Sequence, residues 1–531
     1  MNQIKSFLCK YYYPVCLTFI GLLALFLRLY RLSELPYGLH VDEVGLGYNS
    51  WCLAHFGTDR YLNELPIYLR NYMSGQSPFY TYFVVLLLKL SGGRLSVFLL
   101  RLPAVILSLL AVIFGIKTIR LCFQSKKAAL ISGFLLAVCP YFIMQGRFAL
   151  DCNAMFGCCV IAMYLLAKYI QTQKVRDLVF CGIAFGVVMY TYSLSYIVLA
   201  VFLPIISLYL LYTHKITVPK ILLLAFCICV TSLPVILFAL SIIFHWPEFR
   251  FLCFTISPVS ANRASELNLQ DFGANIVYAV KAALTYDYLP YNSSAKQGTL
   301  YYISIPFIVI GFAISCVKVV FSVRKRVFHS STLFVTFFLA ELVVSGLISN
   351  PNINTINAIF IPLFLFLIWG LSAAFKYICH YRKIFVVTVS AAYILSCASF
   401  INYYFRFYTV MTHPLLLFQV SAADAVQYAD ENLSFSRLYI DYEGLSEYNL
   451  FDDPIPPREW LGENTDPAQA YYIGSYSHYC CVTDRYAAVD PSAVYIVKPE
   501  NIMFLRILES SGLPCQKITF PSGYILYDFE E

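Results

Sequence analysis

Residues 15–27, 102–116, 128–138, 221–244 and 358–371 form long apolar runs without a single charged residue. A stretch of roughly 20 apolar residues is what crosses the hydrocarbon of a bilayer. Lipid offers a peptide group no hydrogen-bond partner, so unbroken apolar runs of this length are satisfied as helices. Composition points the same way: 60% of the chain is hydrophobic, 13% is charged and the mean hydropathy is +0.69. A single soluble domain is excluded. The first run follows Lys5 and Lys10 and is followed by Arg28 and Arg31, where a cleavage site would need small residues. It therefore reads as a retained anchor.

Charge gives the helices a direction. Lys126 with Lys127, Lys174 with Arg176, Lys215 with Lys220, Arg324 through Arg326, and Arg382 with Lys383 fall at every second connection. Short basic loops mark the cytoplasmic side. With the N-terminus inside, spans are predicted at 14–31, 97–119, 128–146, 154–171, 178–192, 195–213, 220–243, 299–321, 331–348, 356–375 and 384–402. That is a polytopic protein of about eleven helices in the plasma membrane, with everything after residue 402 outside the cytoplasm. The run 79–90 is short and flanked by Lys89 and Arg94, so it is predicted to lie in the interface or re-enter the membrane. If it crossed, every later basic cluster would face outward. The basic excess fits lipid headgroups, and nucleic acid is not an expected partner.

Residues 403–531 hold 18 of the 30 acids and only 7 of the 37 Lys and Arg. Periodicity there predicts helices at 420–432 and 500–510, strands at 438–442, 471–474, 494–498 and 524–529, and a loop at 452–457. The chain thus divides into a membrane module, 1–402, and a small extracytoplasmic α/β domain, 403–531. Most of the 18 cysteines lie in apolar runs without metal-ligand spacing, as small buried hydrophobes do.

Only 12 acids occur in the first 402 residues, so one near a membrane boundary needs a reason. Asp42 and Glu43 stand in Gly38-Leu39-His40-Val41-Asp42-Glu43 in the first outward loop, 32–78. Asp151 closes Gln145-Gly146-Arg147-Phe148-Ala149-Leu150-Asp151 in the second. A carboxylate at a partly dehydrated interface suits general-base work on an acceptor hydroxyl. Outward-facing cations, namely Arg60, Arg70, Arg147 and Arg263, would stabilise a phosphate leaving group. The structural alternative is that Asp42 caps a helix starting near Val44 and that Asp151 pairs with Arg147 at i, i+4. Glu341, inside a span, faces a cavity or a partner, or is a protonated structural acid. Tyr72, Phe79, Tyr80 and Tyr82 form an aromatic cluster that packs in the core or against substrate. His40 and His55 match no metal motif. No cofactor is assigned, and a divalent metal is left open.

This order of features resembles the GT-C glycosyltransferases, and within them glycosyltransferase family 39, the bacterial branch of the protein O-mannosyltransferase and aminoarabinose-transferase superfamily. The stretch Gly38-Leu39-His40-Val41-Asp42-Glu43-Val44-Gly45-Leu46-Gly47-Tyr48 is similar to the family's first-loop motif. Arg147 to Asp151 is similar to its second. The resemblance implies a polyprenyl-phosphate sugar donor, transfer with inversion to a glycan, lipid or protein acceptor outside the cytoplasm, Asp42 as base, Asp151 as partner and Glu43 in support. Where many relatives carry a Glu-Lys-Pro-Pro-like element, this chain has Gly75-Gln76-Ser77-Pro78, which moves phosphate recognition towards Arg60, Arg70 and Arg263. His40 and Tyr48 in the first motif, and Asn354 and Asn357 in the outward segment 349–357, are the further candidate substrate contacts. Two other readings are a transporter or flippase of lipid-linked sugars, which would show internal repeats and broken helices, and a cell-envelope scaffold that binds through its tail.

Overall fold

The computed structural model describes residues 2–71, 74–257, 266–289, 292–378, 381–408, 422–435, 437–440, 456–458, 479–481, 489–499 and 501–529. Among these, eight helices are long and apolar enough to cross a bilayer. They are α1 (Asn2–Leu29), α4 (Val97–Phe123), α7 (Asp151–Thr172), α9 (Ser195–Tyr212), α10 (Val218–Ile243), α12 (Ile305–Lys325), α14 (Phe360–Tyr377) and α15 (Arg382–Arg406). Helices α5 (Lys126–Val138) and α6 (Pro140–Met144) run on through Arg147 as one apolar unit, bent by 63° at the break before Pro140. A ring without an N–H, placed in mid-run, gives such a bend its cause.

The two other expected spans are present but short: α8 (Val175–Val188) has 14 residues and α13 (Ser331–Leu347) has 17. At 1.5 Å per residue, α8 reaches only about 21 Å. The expected interfacial helix is α3 (Pro78–Leu90), with proline in its first turn. The Tyr80 hydroxyl donates to the Leu100 carbonyl at 3.0 Å and accepts from Ala104 N at 3.2 Å, locking α3 onto the start of α4.

Three connections gather at one end of the bundle. The first carries α2 (Val41–Phe56) and a hairpin of β1 (Leu69–Asn71) and β2 (Ser74–Gln76). The second carries a hairpin of β3 (Phe249–Phe251) and β4 (Phe254–Ile256), then α11 (Phe272–Leu284). Ile67 N donates to Thr255 O and Thr255 N to Leu65 O, which joins the first connection to the second. Ser349 N donates to Glu266 O, and Asn275 Nδ2 to Ile348 O at 2.8 Å, which joins the second to the segment after α13.

Helix α15 continues to Arg406, four residues past the expected boundary. Beyond it lie α16 (Ala423–Asn432), β5 (Arg437–Ile440), β6 (Tyr479–Cys481), β7 (Ala493–Val497), α17 (Ile502–Ser510), β8 (Cys515–Thr519) and β9 (Ile525–Phe529). The strands form one mixed sheet in the order β6-β5-β7-β9-β8, parallel through β7 and antiparallel after it. The small α/β region is therefore present, with β6 and β8 added. The strand expected at 471–474 and most of the loop at 452–457 lie outside the described residues.

Candidate active site at the loop end of the bundle

The first-loop motif folds as the start of α2, and its cap is His40 rather than Asp42. His40 Nδ1 accepts from Asp42 N at 3.1 Å, while the Glu43 carboxylate reaches back to His40 N at 3.2 Å. This is a capping box with histidine in the place usually taken by serine or threonine. Because Nδ1 accepts, the ring proton belongs on Nε2. The contact of Nδ1 with Asp42 Oδ2 at 3.5 Å therefore sets two lone pairs side by side and neutralises nothing.

The paired acids divide their tasks. Asp42 is 38% exposed and Glu43 is fully buried. Asp42 Oδ1 accepts from Asn71 Nδ2 at 3.2 Å, and its carbonyl accepts from Gln76 Nε2 at 3.1 Å. Asn71 comes this close only because position 45 is glycine: a Cβ there would stand 1.6 Å from Asn71 Oδ1 and 2.7 Å from Arg60 Nη2. Glu43 instead holds Arg101 of α4 through two contacts of 3.0 Å and accepts from Ala149 N at 3.0 Å. Both of its oxygens are committed, so its expected part in the chemistry is corrected to a positioning one.

Asp151 opens α7. Its Oδ1 accepts from Cys152 N at 2.7 Å and its Oδ2 from Ser77 N at 2.9 Å. Gln76 bonds the backbone carbonyl of Asp42 and the adjacent Ser77 the carboxylate of Asp151, so the Gly75–Pro78 element brings the two acidic residues to one end of the fold. Each acid sits at a helix N-terminus, where unpaired N–H groups favour negative charge. The alternative pairing of Asp151 with Arg147 is not formed.

Arg147 is fully buried and donates to the carbonyls of Leu27, Arg28, Tyr30, Arg31 and Leu35. It satisfies the open C-terminal end of α1; the phosphate role expected for it is corrected. The same holds for Arg60, buried against Asn49 Oδ1 at 3.1 Å and Gly45 O at 2.7 Å; Tyr48, expected as a substrate contact, is fully buried with the Arg60 guanidinium 5.4 Å from its ring. Arg70 is half-buried in β1, 5.7 Å from the Tyr61 ring. Arg263 and Tyr72 lie outside the described residues.

The segment after α13 is drawn onto α7. Asn357 is fully buried and donates to Cys152 O at 2.5 Å, while Asn292 bridges Asn153 Oδ1 and Asn354 Oδ1 at 3.0 Å each. Asp287 anchors the same segment, with Ile353 N at 2.5 Å and the Tyr278 hydroxyl at 2.6 Å, and burial pushes its carboxyl above the usual range. Asn354 is half-buried and stays at the site, whereas Asn357, lacking solvent access, serves its architecture. Glu341 is buried inside α13, and His55 bonds Trp51 O within α2. Among the described residues no three His, Cys, Asp or Glu side chains gather as a metal cage, and the His40 nitrogen nearest Asp42 is already occupied. The chemistry below uses side chains of this chain alone.

Sequence reasoning missed Gly45, Asn71, Gln76, Ser77, Arg101 and Asp287. Arg101 carried a signal, since a cation at the start of an apolar run calls for a partner.

This helical frame, with its acids at the loop end, is the fold of the GT-C membrane glycosyltransferases. Residues 75–238 match the family model described as dolichyl-phosphate-mannose-protein mannosyltransferase. No curated protein matches. Among solved structures, the chain is similar to ArnT from Cupriavidus metallidurans bound to undecaprenyl phosphate, at 14% identity and TM-score 0.52, with 97% of this chain and 98% of that one covered. It is also similar to the Archaeoglobus fulgidus oligosaccharyltransferase AglB in complex with an inhibitory peptide and a dolichol-phosphate, at 12% identity and TM-score 0.50, covering 99% and 75%. At such identities the likeness establishes the shared fold.

Proposed function

We propose that this protein transfers a sugar from a polyprenyl-phosphate carrier to an acceptor on the extracytoplasmic side of the plasma membrane, with inversion at the anomeric carbon. The observation that carries it is the contrast between neighbouring acids: Asp42 is solvent-accessible and held by Asn71, while Glu43 beside it is sealed in an ion pair. In this reading the Asp42 carboxylate takes the proton of the acceptor hydroxyl as that oxygen bonds to the anomeric carbon. The glycosyl–phosphate bond breaks, and the lipid leaves as its phosphate. Asp151 positions the Gly75–Pro78 element, and Arg70 meets the leaving phosphate. His40 and Asn354 line the acceptor side. The second connection, already bonded to the first and third, closes over the carrier, and residues 403–531 form a separate domain on the same face. Support comes from the family match and from neighbours whose structures hold undecaprenyl phosphate and dolichol-phosphate.

The test is a panel of labelled polyprenyl-phosphate sugars with purified protein. Release of free lipid phosphate is expected from the wild type and not from Asp42→Asn, at equal yield and stability. Turnover retained by Asp42→Asn removes it as the base. Donor binding without any turnover, across acceptors, favours a transporter.

A further inference from the structure

The other end of the bundle is strongly basic. The stretches 117–127, 168–177, 215–220, 318–326 and 376–383 contain sixteen Lys and Arg and one acid, Asp177. That acid is already held by Lys168 at 3.0 Å and by the Thr172 hydroxyl at 2.6 Å. Most of these cations sit on helix ends. Lys318 does not: it lies two turns inside α12, with its ammonium 3.0 Å from the centre of the Trp369 ring on α14. Phe123, the last residue of α4, packs on the same indole at 4.2 Å between centroids, and His329 lies 5.7 Å from it.

Among the described residues no acid pairs with Lys318, and the cluster keeps donors in reserve. Trp369 Nε1, Ser331 Oγ and Thr332 Oγ1 are buried without a hydrogen-bond partner, a costly state unless something arrives to accept. His329 Nδ1 accepts from Ser331 N at 3.1 Å, which leaves its proton on Nε2. Burial and the neighbouring Lys318 push the ring down to about 4, so at neutral pH it is a neutral donor.

Directly above the cluster is a narrow apolar cleft among α4, α5, α7, α13 and α14, lined among others by Ile119, Met163, Phe334 and Leu365. Ile119 precedes Phe123 by four residues, Leu365 precedes Trp369 by four, and Phe334 follows Ser331 by three. Ile119, Leu365 and Phe334 thus each lie one helical turn deeper than a member of the cluster. The one hydroxyl in the lining, Thr118, is spent on the Phe114 carbonyl at 2.8 Å. A half-buried cation with neutral donors, placed one turn below an apolar cleft, has the order of parts of an amphiphile.

We infer that this end of the bundle binds an anionic phospholipid of the adjacent leaflet, its phosphodiester on Lys318, Trp369 and Ser331 and one acyl chain in the cleft. Lys318 is half-buried beside neutral donors and Lys376 adds a second positive charge within its reach, so the site favours an anionic headgroup over a zwitterionic one.

The probe is phosphatidylglycerol with a photoreactive group at one acyl end, offered to the full chain in phosphatidylcholine nanodiscs and mapped by peptide mass spectrometry. Labelling is expected in 115–119 and 361–365. It should fall roughly tenfold at subsaturating probe in Lys318→Gln, the loss of one charge-assisted contact, and hold in Lys318→Arg. Ile119→Trp fills the cleft and should abolish the label in those peptides while gel filtration stays unchanged. Equal labelling by a phosphatidylcholine probe, better competition by an isoprenyl monophosphate than by phosphatidylglycerol, or full labelling in Ile119→Trp would each overturn the inference. These arms hold in the wild-type chain or its cleft variant, so the test stands even if Lys318→Gln fails to fold.

Discussion

Replacing Glu43 with Gln separates architecture from chemistry at this site. The carboxylate receives four donors: Arg101 Nε and Ala149 N on Oε1, Arg101 Nη2 and His40 N on Oε2. Glutamine keeps the volume but turns one of those oxygens into an NH2, which then faces two donors whichever way the amide is placed. Arg101 is left buried without a counter-charge, keeping one contact to the amide oxygen and those to the carbonyls of Leu32, Pro36 and Gly38. Removing one partner of a buried ion pair costs about 3–5 kcal/mol, and roughly 4 kcal/mol is close to a thousandfold in the folding equilibrium. Denaturant unfolding in mixed micelles of the wild type, Glu43→Gln, Arg101→Gln and the double variant measures it. The double variant should be less destabilised than the two singles added together, by about 2 kcal/mol. A Glu43→Gln protein with unchanged stability and lost turnover would refute the positioning role and return Glu43 to the reaction.

Arg147→Gln should destabilise the fold by breaking the cap on α1, and leave the donor KM of the folded fraction unchanged. Arg70→Gln should do the reverse, raising donor KM roughly tenfold at equal stability; steady-state kinetics with thermal unfolding checks both. Gly45→Ala puts a methyl where Asn71 and Arg60 meet and should lower kcat strongly, a loss that a second change of Asn71 to Gly partly relieves in stability but not in rate. Burial pushes the Asp59 carboxyl above its ordinary value, against the hydrogen bonds it accepts from Tyr61 N and from Asn63. A raised folded-state pKa makes the proton stabilising: its contribution is full below about pH 4 and is lost as pH rises through the folded value. Amide exchange over 59–65, corrected for intrinsic rates, should therefore slow as pH falls, and Asp59→Asn should flatten that dependence.

Much of the fold was legible in the sequence because the solvent is lipid. A bilayer admits a peptide backbone only when its hydrogen bonds are closed within the segment, so apolar length alone located the eleven helices, including α8 and α13, which proved short. Charge scarcity singled out Asp42 and Asp151 for the same reason. Strands β5, β7 and β9 in the tail were readable from their period-two pattern, while β6, of three residues, and β8, an edge strand exposed along most of its length, rest on partner strands that local pattern does not name.

Two of the candidate cations, Arg60 and Arg147, are spent on architecture. Arg60, Arg70 and Arg147 look alike in one dimension, and only packing shows that two of them close helix ends and hairpins while Arg70 remains half-open. By itself the sequence determined the membrane class and the helix positions and singled out the two carboxylates as candidates, since each follows from the cost of charge and bare peptide in lipid. Tertiary structure alone decided which carboxylate meets solvent and which is sealed, because a side chain's partners come from residues 29 to 106 positions away. No local periodicity encodes contacts at that range.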